Sequence, residues 1–199
     1  MFAKFRGDRG MAKRDNHYES AFAAYLRCRG IPYVAVDETR RSLAGQRSLK
    51  NLDFIVSPRH QARSWLVDIK GRRFPTGKSQ YWRNWCTAEE LASLSGWETL
   101  FGERFTALLV FAYEVVGDLA PLPVDQLFEH GGSIYGFVGV RLDHYVSWSR
   151  PLSLRWNTVT VSIPKFRALA RPIEALLLDA GPFQPLAGLT AQTTVSPAD

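Results

Sequence analysis

The segment Ser64-Trp-Leu-Val-Asp-Ile-Lys-Gly71 constrains this chain more than any other. Alternate residues of a strand share a face. Trp65, Val67 and Ile69 therefore point one way, and Leu66, Asp68 and Lys70 the other. A carboxylate and an ammonium on one face of an otherwise apolar strand cost free energy unless both are paired or bind something. The preceding segment supplies a second carboxylate, because Asp53 interrupts the apolar run of Asn51-Leu-Asp-Phe-Ile-Val56. An antiparallel hairpin turning at 58–63 sets Asp53 opposite Asp68 and Ser57 opposite Ser64. Residues so opposed have Cβ atoms about 5 Å apart. Carboxylates that close repel, so they should share a proton or a cation. Mg2+ suits such a pair, since it takes one or two carboxylates and completes its octahedron with water and phosphate oxygens.

The elements around this hairpin follow from periodicity and caps. Tyr18, Ala21, Phe22, Tyr25 and Leu26 keep helical spacing after Asn16, and Gly30 stands where a C′ glycine ends a helix. Ile31–Val36 reads as a short strand. Thr87-Ala-Glu-Glu90 is a capping box opening a second helix with Leu91, Leu94, Trp97 and Phe101. Phe105–Val116 (FTALLVFAYEVV) is a buried strand by composition. After a Pro-containing connection (118–132), strands are expected at Ser133–Val140, Tyr145–Trp148 and Asn157–Ser162, then a helix from Pro164 to about Asp179. Helix, three strands, helix, strand predicts one α/β domain with a mixed central sheet over 16–180, its core at 16–116 and a strand/helix extension at 117–180. Residues 1–15 read as a flexible basic arm and 181–199 as a disordered tail.

Charge narrows the function classes. The net charge is +6, but residues 1–86 hold 18 basic and 7 acidic side chains while 87–199 hold 7 and 12. A cationic surplus confined to one part of a chain is what a polyanion-binding face leaves in a sequence. No apolar run is long enough to span a membrane, and no apolar stretch follows the charged N-terminus as in a secretory signal. Cys28 and Cys86 cannot build a disulfide framework or a four-cysteine zinc site, so a cytoplasmic protein with idle thiols is expected. Nucleotide-binding and nucleophile-elbow motifs are absent.

The combination of Glu19 in the first helix, Asp53 on one strand and Asp68-Ile69-Lys70 on the next resembles the PD-(D/E)xK phosphodiesterase superfamily, with its restriction-endonuclease-like fold. Within it the pattern is most similar to Holliday-junction-resolvase-like members. Leu52 stands where a proline often precedes the first Asp, and no Gln-x-x-x-Tyr motif follows Lys70. The resemblance implies a metal-dependent nuclease, with DNA ahead of RNA as substrate and a homodimer as a possible assembly. Asp53, Asp68 and the Ile69 carbonyl would hold Mg2+, or Mn2+ in its place, and Glu19 would bind it directly or through water. Lys70 would orient the attacking water or neutralise the developing negative charge. Asn16-x-x-Glu19 fits a capping box equally well, which gives Glu19 a second reading. On these grounds Lys70→Ala should abolish cleavage and leave the fold intact.

Arg40, Arg41, Arg47 and Lys50 in one loop, and Arg72, Arg73 and Lys78 after Lys70, suit phosphate contacts. Trp82 and Trp85 offer rings for a distorted base or cover for the sheet, while Trp148 and Trp156 read as core. The alternative to a nuclease is a non-catalytic nucleic-acid-binding module on the same fold, and a third is a protein-interaction domain whose basic face is incidental.

Overall fold

The computed structural model describes residues 16–36, 42–44 and 47–178, with backbone alone at 42–44, 47 and 48. The expected arm (1–15), Arg40, Arg41 and the expected tail (181–199) lie outside the described residues. The first helix, α1 (His17–Cys28), starts where Asn16 caps the Tyr18 N–H, and Gly30 follows its end with φ +63°. Four short strands come next: β1 (Tyr33–Ala35), β2 (Ser42–Ala44), β3 (Arg47–Leu49) and β4 (Phe54–Val56). The long strands β5 (Ser64–Phe74) and β7 (Phe105–Val115) flank β6 (Cys86–Thr87) and α2 (Ala88–Phe101). Then follow β8 (Phe128–His130), β9 (Ser133–Arg141) and α3 (Leu142–Trp148). The chain continues through β10 (Arg150–Ser153), β11 (Thr158–Thr160), α4 (Ile163–Leu169), β12 (Arg171–Pro172) and α5 (Ile173–Leu177).

The main sheet runs β1-β4-β5-β7-β9-β12, with β8 also on β9. β5 and β7 are parallel and every other pair is antiparallel, so the fold is α/β with a mixed sheet, as the sequence predicts. β7 is central because nearly all its side chains, from Thr106 to Tyr113, are buried. One sheet face packs Phe54, Val56, Val67 and Ile69 beneath Phe22, Tyr25 and Leu26 of α1. The other packs Leu66, Leu109 and Phe111 against Leu91 and Leu94 of α2, Tyr145 of α3 and Phe166 of α4. A smaller sheet, β10-β11-β6, lies beyond α2, and no helix among the described residues is long and apolar enough to cross a membrane.

Two sequence expectations fail here for identifiable reasons. Residues 145–148 are helical, not a strand: Leu142 and Tyr145, three apart, both turn inward, and the Tyr145 hydroxyl donates to the Asn84 carbonyl at 2.5 Å. The expected helix from Pro164 breaks at Arg171-Pro172, which pairs with Gly139 and Val138 of β9. Proline disfavours helical backbone at the residue before it and lacks the N–H that a helix interior needs.

Candidate active site

The β4–β5 ladder pairs Phe54 with Val67, Ile55 with Leu66 and Val56 with Trp65. One step on, Asp53 leaves that register: it precedes β4, and its N–H donates to the carbonyl of Val67, the partner of Phe54, at 2.9 Å. At the other end Ser57 Oγ meets Ser64 Oγ at 2.7 Å. Since Phe54, Val67 and Ile69 enter the core beneath α1, Asp68 and Lys70 face α2. Asp53, Asp68 and Lys70 are all buried. Asp53 Oδ2 accepts the Ile69 N–H at 2.5 Å, which ties its carboxylate across the ladder to the strand that carries Asp68.

Lys70 joins the two sides of this site. Its Nζ lies 2.5 Å from Asp68 Oδ2 and 3.0 Å from Glu90 Oε1. Glu90 Oε1 also takes Lys50 Nζ at 2.9 Å. The start of α2 fixes Glu90: Thr87 Oγ1 accepts the Glu90 N–H at 3.2 Å, and Glu90 Oε2 accepts the Thr87 N–H at 2.8 Å. One oxygen of Glu90 thus caps the helix while the other faces two lysines. Lys50 is placed by Ser93 Oγ on its N–H (3.1 Å) and by Trp97 Nε1 on its carbonyl (2.9 Å). Lys50, Asn51, Leu52, Asp68, Glu90 and Ser93 close around a gap too small to hold a water, and Lys50 reaches solvent at its edge, its side chain 42% exposed.

Electrostatics follow from this packing. Burial raises the Asp68 carboxyl above the usual carboxylate range, with Lys70 opposing it. Burial also works against the Lys70 ammonium, but Asp68 and Glu90 outweigh it, so its pKa is raised and the group stays charged. For Glu90, burial is again opposed by Lys70, the Thr87 N–H and Lys50, and the pKa falls to about 2. Two lysines and two carboxylates, Lys50, Lys70, Asp68 and Glu90, therefore meet between β5 and α2, with Asp53 tied to β5 through the Ile69 N–H.

The donor chemistry suits a hard divalent cation. Asp53 and Asp68 are buried oxygen donors on neighbouring segments, and Asp68 Oδ2 has no hydrogen bond of good geometry beyond its ionic contact with Lys70. No three His, Cys, Asp or Glu side chains among the described residues group closely enough to cage a metal. Two carboxylates with water and phosphate completing the shell are what Mg2+ accepts.

The other residues singled out in the sequence fall in different places. Glu19 carries no third ligand to this pair: α1 covers the opposite face of the sheet, and the Glu19 carboxylate takes the Asn16 side-chain amide. Arg72 stacks on Trp85 at 4.2 Å and donates to the Trp85 carbonyl at 2.6 Å, so it braces the loop before β6. Arg73 and Lys78 are exposed, and Arg73 lies 3.8 Å from Glu114. Trp82 cannot stack on a base, because it is 4% exposed, packed edge-on to Phe74 and Tyr113. Trp148 and Trp156, expected in the core, are 55% and 67% exposed. For Arg47 only the backbone is described, in β3.

Sequence reasoning missed Glu90 as a partner of Lys70. Its signal was present but already explained, since a glutamate three residues after a helix-capping threonine satisfies the local rule.

No protein-family model matches the sequence, and no curated protein matches it. Among solved structures, the chain is similar to Archaeoglobus fulgidus Hjc, a Holliday junction resolvase from an archaeal hyperthermophile. The identity is 12% and the TM-score 0.48, with 81% of this chain and 98% of that chain covered.

Proposed function

We propose that this protein is a metal-dependent nuclease that hydrolyses phosphodiester bonds, with DNA as the favoured substrate. One observation carries the reading: Asp68 and the Lys70 ammonium are buried together on one face of β5, and a second buried carboxylate, Asp53, is tied to the same strand through the Ile69 N–H. A purely structural ion pair needs only one carboxylate for Lys70, whereas here Glu90 reaches in from α2 beside Asp68, and Asp53 accepts the N–H of the residue before Lys70.

Asp53 and Asp68 would hold the divalent ion, with the Ile69 carbonyl as a further oxygen by resemblance. When bound, such an ion polarises a phosphoryl oxygen and lowers the pKa of an attacking water. The chain's own groups do the rest. An ammonium has three donors; Lys70 directs two toward Asp68 and Glu90, which leaves one for the attacking water or a phosphoryl oxygen. Because Lys70 stays charged, it stabilises developing negative charge rather than acting as a base. Glu90 keeps that ammonium in place, and Lys50, at the solvent edge, offers a cation to the phosphate backbone.

The test is cleavage of labelled duplex, single-stranded, flap and four-way-junction DNA with Mg2+ or Mn2+, wild type beside Asp53→Asn and Asp68→Asn. Both variants should fold and lose at least about a hundredfold in rate, in the range seen when one element of a preorganised site is removed. Wild-type rates in folded Asp68→Asn would refute the assignment. Salt-sensitive binding of every DNA with no cleavage in either metal would replace it with a binding module.

A further inference from the structure

The C-terminal part carries a surface that the chain's overall charge conceals. Trp148, at the end of α3, has Lys165 Nζ 3.4 Å from its ring centroid. Trp156, between β10 and β11, has the Arg155 guanidinium 5.1 Å from its centroid. Leu152 and Leu154 beside them are also exposed. From His144 to Ile173 the sequence has Arg150, Arg155, Lys165, Arg167 and Arg171 and no Asp or Glu, within a half of the chain that is otherwise acidic.

This surface is attached to the candidate active site. β11 pairs with β6, setting Thr158 against Thr87 and Val159 against Cys86. The Ala88 N–H donates to the Asn157 carbonyl at 2.9 Å. The turn bearing Trp156 is therefore fastened to the start of α2, two residues before Glu90. Asn157 makes that turn with φ 45°, a conformation asparagine tolerates better than most residues.

Exposed aromatic rings grouped with aliphatic side chains mark a binding surface. Cations placed over both rings, in a stretch of sequence without Asp or Glu, match a polyanion that also offers flat apolar faces. The neighbouring acids are Asp143 of α3 and Glu89 of α2. Unpaired bases have that chemistry; a duplex shows its phosphates but hides the faces of its bases. A second copy of the chain fits less well, because a two-fold interface would set these cations against each other. We propose that the surface around Trp148 and Trp156 stacks the unpaired bases of a single strand and leads it to the Asp53–Asp68 site. The second part of that statement rests on the nuclease reading; the first does not.

The test measures binding of fluorescein-labelled oligothymidine, and of a duplex of equal length, to the full chain in EDTA, by anisotropy. Trp156→Ala and Trp148→Ala should each weaken oligothymidine binding by roughly five- to a hundredfold, the range for loss of one base–aromatic stack. Trp156→Phe should restore most of the Trp156→Ala loss, and duplex binding should change little. Unchanged oligothymidine affinity in both alanine variants overturns the proposal, as does an equal loss for duplex. A wild-type dimer that Trp156→Ala turns into a monomer on sedimentation also overturns it, in favour of a copy–copy interface. Metal is withheld so that binding is read apart from cleavage: a wild type that binds oligothymidine through Trp156 yet never cuts DNA supports this proposal and sinks the nuclease reading.

Discussion

Replacing Lys70 by methionine tests whether the charges around it form one interdependent unit. Methionine keeps the length of the side chain and removes only the ammonium. Asp68 then loses its ionic contact at 2.5 Å, while Glu90 keeps Lys50 at 2.9 Å. The cost should therefore fall chiefly on Asp68, a carboxylate buried to 6% with its pKa already raised by desolvation. Removing one member of a buried pair costs about 3–5 kcal/mol, mostly from the charge left behind. That is a large share of the roughly 5–15 kcal/mol that holds a domain folded. Lys70→Ala would carry a similar cost, so lost cleavage in that variant identifies a catalytic group only when its folding is measured beside it. The pH dependence has a definite sign. In Lys70→Met the folded-state pKa of Asp68 rises further above its unfolded value, so the folded chain binds the extra proton and the variant regains stability as pH falls from about 7 toward 4. Urea denaturation followed by circular dichroism at both ends of that window measures it. The double variant Asp68→Asn/Lys70→Met should recover most of the loss, because no uncompensated charge remains at position 68. A Lys70→Met cost under about 1 kcal/mol near pH 7, or a double variant as unstable as the sum of the singles, would refute the coupled cluster.

Two more predictions read the supports of the site. Glu90 has a folded pKa lowered to about 2, so its contribution is present above the unfolded value near 4.3 and is lost as pH falls through about 2; Glu90→Gln should cost on the order of 3 kcal/mol near neutral pH, and that gap should close in acid urea titrations. Asn84 is buried and holds the loop before β6 to the end of β11, its side chain accepting the Val161 N–H at 2.9 Å and donating to the Val161 carbonyl at 3.1 Å. Asn84→Ala leaves both backbone groups without that partner and should lower stability by about 2–3 kcal/mol in the same assay, whereas a loss under about 0.5 kcal/mol would mean the loop is held by other contacts.

How much of this was legible in the sequence depends on whether a residue's role is set by its near neighbours. The hairpin register was legible over the strand itself, because alternation along two strands and a turn of fixed length leave little freedom. Phe54 pairs with Val67 as expected, while Asp53 departs from that register by donating its N–H to the Val67 carbonyl. The caps at Asn16 and Thr87 were legible for the same reason. Trp148 and Trp156 were misjudged because hydrophobicity favours burial on average, while their exposure depends on α3 being a helix and on the short β10–β11 turn pointing outward. Glu90 shows the limit most clearly. Its capping role is a local fact and its pairing with Lys70 a tertiary one, and a carboxylate with two oxygens can do both at once. That division has a mechanical consequence. The hydrogen bond that starts α2 is made by the same carboxylate that holds the Lys70 ammonium, so a shift of the helix start must move the ammonium relative to Asp68. The Trp156 turn grips that same start through Ala88. A ligand seated on the turn would therefore press on the one element through which the outer surface and the buried charges are joined.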